Sequence, residues 1–77
     1  MRKVRFKHKR NAGAWGMAYP AEWRIELDPD LDEKTLLDIA VHEVTHVVIP
    51  DLDEAAVDRL GKHVADVLWR LGFRQEN

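Results

Sequence analysis

Residues 32–50 read Asp32-Glu33-Lys34-Thr35-Leu36-Leu37-Asp38-Ile39-Ala40-Val41-His42-Glu43-Val44-Thr45-His46-Val47-Val48-Ile49-Pro50. Leu36, Leu37, Ile39, Ala40, Val44, Val47 and Val48 recur at helical spacing and gather on one broad face, with Asp32 available as N-cap. Proline disfavours the α conformation in the residue before it, so with Pro50 following Ile49 the regular helix is predicted to stop near Val48. Each helical residue advances about 100°, which leaves His42 and His46 one turn apart and about 40° from each other, with Glu43 projecting beside them.

Downstream of this helix, Ala56, Val57, Leu60, Val64, Val67, Leu68 and Leu71 share one stripe and predict a second helix starting around Asp53. Gly72 stops it, in the left-handed position that glycine accepts, with Phe73 folding back on the last turn. Upstream, before about residue 30, the apolar period is two: Val4 and Phe6, then Trp15, Met17 and Tyr19, then Trp23, Ile25 and Leu27. Three strands are implied, with a turn at residues 11–13 and a tight one at Pro20-Ala21-Glu22. Such short connections predict an antiparallel meander. The expected architecture is α+β: a three-stranded antiparallel sheet followed by two helices packed on one face. Trp15 and Trp23 fit the core side of the strand pattern, whereas Trp69 lies off the second helix's stripe.

Two imidazoles one turn apart can share an ion. A catalytic zinc site takes three protein ligands and a water, and a nearby carboxylate that is not a ligand receives the water's proton. His42-Glu43-Val44-Thr45-His46 supplies both parts, with His42 and His46 as metal ligands and Glu43 as general base. The nearest candidate for the third ligand is Glu54, eight residues after His46 and just past a turn, where a helical hairpin would return it to the histidines. Asp58 shares its border of the second helix, and His63 falls roughly 180° away, at the other border. A capping role competes for Glu54: either Asp51 caps with Glu54 at N3, or Asp53 caps with Glu54 in the first turn. Asp38 precedes His42 by one turn and is placed either to hydrogen-bond its second nitrogen or simply to be solvated. Tyr19, His8 and His63 are further groups able to stabilise an oxyanion, but nothing in the sequence places them near the metal.

The chain has 77 residues and no cysteine, and it is read as one domain over residues 1–77. A domain this short buries only about 60% of the surface its unfolded chain exposes, so without disulfides a metal or a partner subunit becomes a natural staple. Net charge is −2, yet Arg2, Lys3, Arg5, Lys7, Lys9 and Arg10 fall in the first ten residues without one acid. That segment reads as a solvated strand face or as a phosphate or nucleic-acid contact. Val4 and Phe6 are its only large apolar residues besides Met1, unlike a signal peptide, and a cytoplasmic protein is expected. Apolar runs such as Val47 to Pro50 are far below the roughly 20 residues that span a bilayer.

From Trp15-Gly16 through Arg24-Ile25-Glu26-Leu27-Asp28-Pro29 to Leu36-Leu37-Asp38 and His42-Glu43-Val44-Thr45-His46, the chain resembles the core of SprT-like and ImmA/IrrE-like metallopeptidases. It is more similar still to the very small HExxH proteins of bacteriophages and prophages. In those, the helix is followed by a Pro-x-Leu-x-Glu turn, matched by Pro50-Asp51-Leu52-Asp53-Glu54, and by a helix ending like Leu68-Trp69-Arg70-Leu71-Gly72-Phe73. The resemblance covers residues 15–73. It implies a minimal zincin fold, a zinc ion held by His42, His46 and Glu54, and Glu43 as general base. The chain departs from longer SprT-like enzymes, which complete the site with a third histidine, and from metzincins, since Ile49 and Leu52 stand where those require glycine and histidine.

The leading expectation is therefore a zinc-dependent peptidase acting on a peptide or protein held along a sheet edge. A module in which zinc is a structural staple, with a fourth protein ligand such as Asp58, is the alternative from another class. A third reading has the basic first strand binding nucleic acid.

Overall fold

The computed structural model of the chain describes residues 1–11 and 13–75. Three short strands, β1 (Arg5–His8), β2 (Gly16–Tyr19) and β3 (Arg24–Leu27), precede two long helices, α1 (Glu33–Val48) and α2 (Glu54–Leu71). The α+β class with three strands and two helices is as expected, but the sheet is mixed. β2 and β3 pair antiparallel, with Gly16 opposite Leu27 and Tyr19 opposite Arg24. β1 instead runs parallel to β3, with Arg5 beside Arg24 and His8 beside Leu27, and the order is β1-β3-β2.

Burial explains why β3 takes the centre. Its Ile25, Glu26 and Leu27 are all buried, whereas all four residues of β1 are exposed. A strand that is mostly cationic is tolerated at an edge, and the strand richest in buried side chains goes to the middle. The chain consequently crosses from β1 past β3 to reach β2. Asn11 and Ala14 form an isolated bridge in this crossing, while Ala12, inside the expected turn, lies outside the described residues. The second turn is a single 3₁₀ turn over Pro20–Glu22, closed by Trp23 in the left-handed conformation at φ 49°.

Trp15 and Trp23 were expected on the core side, and the structure corrects the first of these: Trp15 is 62% exposed. Alternation gives β2 two faces, one carrying Met17 and Tyr19 and the other Gly16 and Ala18. The small face lies on α1. A Cβ at Gly16 would stand 2.7 Å from Ile39 Cγ2 and 3.0 Å from Glu43 Cγ, so the helix approaches too closely for anything larger. Trp23 is half-buried beside the core cluster of Ile25, Leu27 and Val47, with the Arg2 guanidinium 4.7 Å from its ring centroid.

Both helices begin as their caps predict. Thr35 N–H donates to Asp32 Oδ1 and Ala56 N–H to Asp53 Oδ1, each at 2.8 Å. α1 ends at Val48 before Pro50, and α2 ends on Gly72 at φ 96°, with Phe73 N–H returning to the Leu68 carbonyl at 3.1 Å. α1 covers one face of the sheet, and α2 packs along α1 rather than on the strands. Val57, Gly61 and Ala65, one turn apart, form its buried line. Small residues at that spacing let two helix backbones come close: a Cβ at Gly61 would lie 3.2 Å from the Asp38 carbonyl oxygen. Among the described residues no helix is long and apolar enough to cross a membrane.

Glu26, on the sheet face away from α1, is only 1% exposed. Asn11 Nδ2 and Tyr19 OH each donate to its Oε1 at 3.3 Å, Arg24 donates to Oε2, and Lys7 Nζ lies 3.6 Å away. Burial alone would push this carboxyl up, but the hydrogen bonds from Asn11 and Arg24 and the charges of Lys9 and Arg24 outweigh it and hold it below the ordinary glutamate range.

Candidate metal centre

The helical phase of α1 sets His42 and His46 side by side, ring centroids 4.9 Å apart and planes inclined at 69°. Their Nε2 atoms are 3.2 Å apart. The short turn after Pro50 and the close α1–α2 packing at Gly61 bring the first residue of α2, Glu54, over both rings. Its Oε1 lies 2.8 Å from His42 Nε2 and its Oε2 2.9 Å from His46 Nε2. One ligand atom from each of the three residues thus falls within 4.8 Å of the other two.

The donor set suits zinc. Two ligand atoms about 2.0–2.1 Å from zinc at a tetrahedral angle stand about 3.3 Å apart, close to the 3.2 Å between the imidazole nitrogens. The arrangement also fits a cation better than protons. If both Nε2 atoms carried hydrogens for Glu54, two N–H groups would crowd each other at that separation, whereas one ion shared by three lone pairs removes the conflict. The side chains of His42 and His46 are 16% and 24% exposed and that of Glu54 69%, so the cluster opens to solvent on the Glu54 side.

Glu43 is buried in the seam between α1 and β2, its Oε2 3.0 Å from where a Cβ on Gly16 would be. Burial pushes its carboxyl up, the charges of His42 and His46 pull it down, that of Glu54 pushes it up, and the net position is above the ordinary value. A buried carboxylate shifted toward neutrality beside two imidazoles is suited to accept a proton from a water and return it.

The other candidates lie elsewhere. Asp58 Oδ1 accepts from Lys62 Nζ at 2.8 Å, and this bond, with the charges of Lys62 and His42, holds its carboxyl below the usual range despite partial burial. His63 is exposed on the far border of α2, and His8 is exposed on β1. Tyr19 turns its hydroxyl to Glu26, on the other side of the sheet. Asp38 lies against Gly61 and 3.8 Å from Lys62 Nζ, and among the described residues no hydrogen bond joins it to His42. Of the two capping arrangements open to Glu54 the structure has the second: Asp53 is the N-cap, and Glu54 stands in the first turn of α2.

Gly16 and Gly61 are the site residues that sequence reasoning passed over. Each carried a signal, since a glycine inside a strand or helix pattern marks a close backbone approach. Comparison of the chain with models of known protein families, with curated proteins and with solved structures gave no match.

Proposed function

We propose that this protein is a zinc-dependent peptidase, in line with its resemblance to the small HExxH proteins. The observation that carries this reading is the convergence of His42 Nε2, His46 Nε2 and the Glu54 carboxylate at mutual distances of 2.8, 2.9 and 3.2 Å beside a buried glutamate that takes no part in the cluster. When bound, zinc supplies a Lewis acid for the scissile carbonyl and lowers the pKa of a coordinated water.

The chain's own residues do the rest. His42 and His46, presented one turn apart on a rigid helix, and Glu54, brought in by the hairpin, would hold the ion as three protein ligands. Glu43 takes the proton from the attacking water and later gives it to the leaving amine. β2 is an edge strand whose outer side pairs with no other strand among the described residues, and Gly16 brings its start against Glu43. An extended peptide added to that edge would place its backbone along the site, with main-chain hydrogen bonds holding it. The absence of Asp58 from the ligand cluster favours this reading over a four-ligand structural zinc.

The test is zinc analysis of purified protein together with hydrolysis of an unfolded protein substrate by wild type and Glu43→Gln. About one zinc per chain in both, with cleavage by wild type alone, is the expected result. Zinc bound by both without cleavage by either supports the structural staple, and no zinc in either overturns the proposal.

A further inference from the structure

The face of the sheet turned away from α1 carries no helix, and it collects chemistry that the metal centre does not use. Arg5, Lys7 and, just beyond β1, Lys9 stand on it in one row, because alternate residues share a face and Lys9 N–H continues the ladder by donating to the Leu27 carbonyl at 2.9 Å. Contacts settle which face this is: Lys7 lies 3.6 Å from Glu26, which bonds Arg24 and Tyr19.

Four cations on this face, Arg5, Lys7, Lys9 and Arg24, stand with three carboxylates: Glu22 and Glu26 are engaged by Arg24, and Asp28, next in alternation after Glu26, accepts from the Asp30 N–H, while the exposed Arg5 and Lys9 have no carboxylate within ion-pair distance among the described residues. Arg10, beyond the row, is paired with Asp30. Beyond the sheet the sign reverses: residues 30–77 carry 11 of the 14 acids and only five of the 12 Lys and Arg. A polyanion is therefore steered toward this face and repelled from the helices.

Across β3 from the cationic row, about two strand spacings or 10 Å away, β2 carries a second row. Met17 is 37% exposed, and Trp15, whose carbonyl continues the ladder by accepting from Asp28 N–H, is 62% exposed. Tyr19 completes it, with the Arg24 guanidinium 4.0 Å from its ring centroid. An indole left in water on an open sheet is a stacking surface, and every unpaired base offers a π-face to it. A duplex hides those faces, and this flat surface has no helix to enter a groove.

We infer that the open face of the sheet binds single-stranded nucleic acid, its phosphates following Arg5, Lys7 and Lys9 and a base stacking on Trp15. DNA and RNA offer the same phosphates and π-faces, and both are tested. The inference is independent of the peptidase reading, because the metal ligands lie on α1 and α2, behind the sheet.

Fluorescence anisotropy of labelled 20-residue oligo(dT) and oligo(U), titrated with the full chain with and without added zinc, tests it. Binding to one or both is expected, with affinity falling as salt rises at a log–log slope of about −2, for three contacts at roughly 0.7 each. Arg5→Gln and Lys9→Gln should each reduce that slope by about 0.7. Trp15→Ala should weaken binding roughly tenfold and leave the slope unchanged. Arg59→Gln, on exposed α2, should change neither. All three altered side chains on the sheet are exposed, and unchanged circular dichroism verifies that each variant is folded. No binding at low salt overturns the inference. So does a Trp15→Ala variant that binds as wild type, or displacement of the oligonucleotide by duplex DNA or heparin as readily as by unlabelled single strand, which would reveal a nonspecific attraction to polyanions.

Discussion

Replacing Glu54 by alanine separates the roles this residue could play. Its side chain is 69% exposed, and the helix cap beside it is supplied by Asp53, which accepts from Ala56 N–H at 2.8 Å. In metal-free protein Glu54→Ala should therefore cost only its interaction with the α2 dipole, about 0.3–1 kcal/mol. Zinc affinity should respond far more. Loss of an outer-shell partner of a metal ligand typically costs 10- to 100-fold, so loss of a carboxylate 2.8 and 2.9 Å from both imidazole nitrogens should cost at least about 100-fold, or roughly 2.7 kcal/mol. Glu43→Gln is the counterpart. Its carboxyl is held above the ordinary range chiefly by burial, so a neutral amide of the same shape should leave zinc affinity within a few-fold and should not lower metal-free stability. Competition against a chromogenic chelator reads the affinities, and urea unfolding in excess chelator reads the stabilities. If Glu54→Ala binds zinc as tightly as wild type, the ligand assignment is wrong, and a fall in metal-free stability of more than about 1 kcal/mol with affinity intact would return Glu54 to a capping role.

Three further outcomes are expected. Zinc at a hundredfold excess over its Kd should stabilise the fold by about 2.7 kcal/mol, which for a domain of this size raises the melting temperature by roughly 10–20 °C; a melting curve indifferent to chelator would contradict this. Gly61→Ala places a methyl 3.0 Å from Asp38 Oδ1 and 3.2 Å from the Asp38 carbonyl oxygen. Helix propensity gains about 1 kcal/mol and overpacking costs about 1–3, so a net loss near 1 kcal/mol is expected in urea unfolding. Zinc binding should weaken with it as α2 carries Glu54 outward. Glu26 has its folded pKa depressed, so its contribution is present above the ordinary glutamate range and is lost as pH falls through that range toward the folded value. Melting temperatures of wild type should drop along that acid limb more steeply than those of Glu26→Gln.

The helices and the pairing of His42 with His46 were legible because both rest on local rules. The spacing of His42 and His46, the caps at Asp32 and Asp53, and the stops at Pro50 and Gly72 each depend on neighbours within a turn or two. The sheet was legible only in part. Alternation says which side chains share a face but not which face is covered, and in Trp15-Gly16-Met17-Ala18-Tyr19 hydrophobicity favours the aromatic face for the core. Backbone proximity decided otherwise. α1 is gripped from both sides by glycines, with the position of a Gly16 Cβ 3.0 Å from Glu43 Cγ and that of a Gly61 Cβ 3.5 Å from the His42 nitrogen. Only a strand face of glycine and alanine and a helix face of valine, glycine and alanine allow α1 to be approached so closely at Glu43 and His42. The aromatic row of β2 is displaced outward by that requirement, which links the packing of α1 to the exposed indole on the opposite face of the sheet.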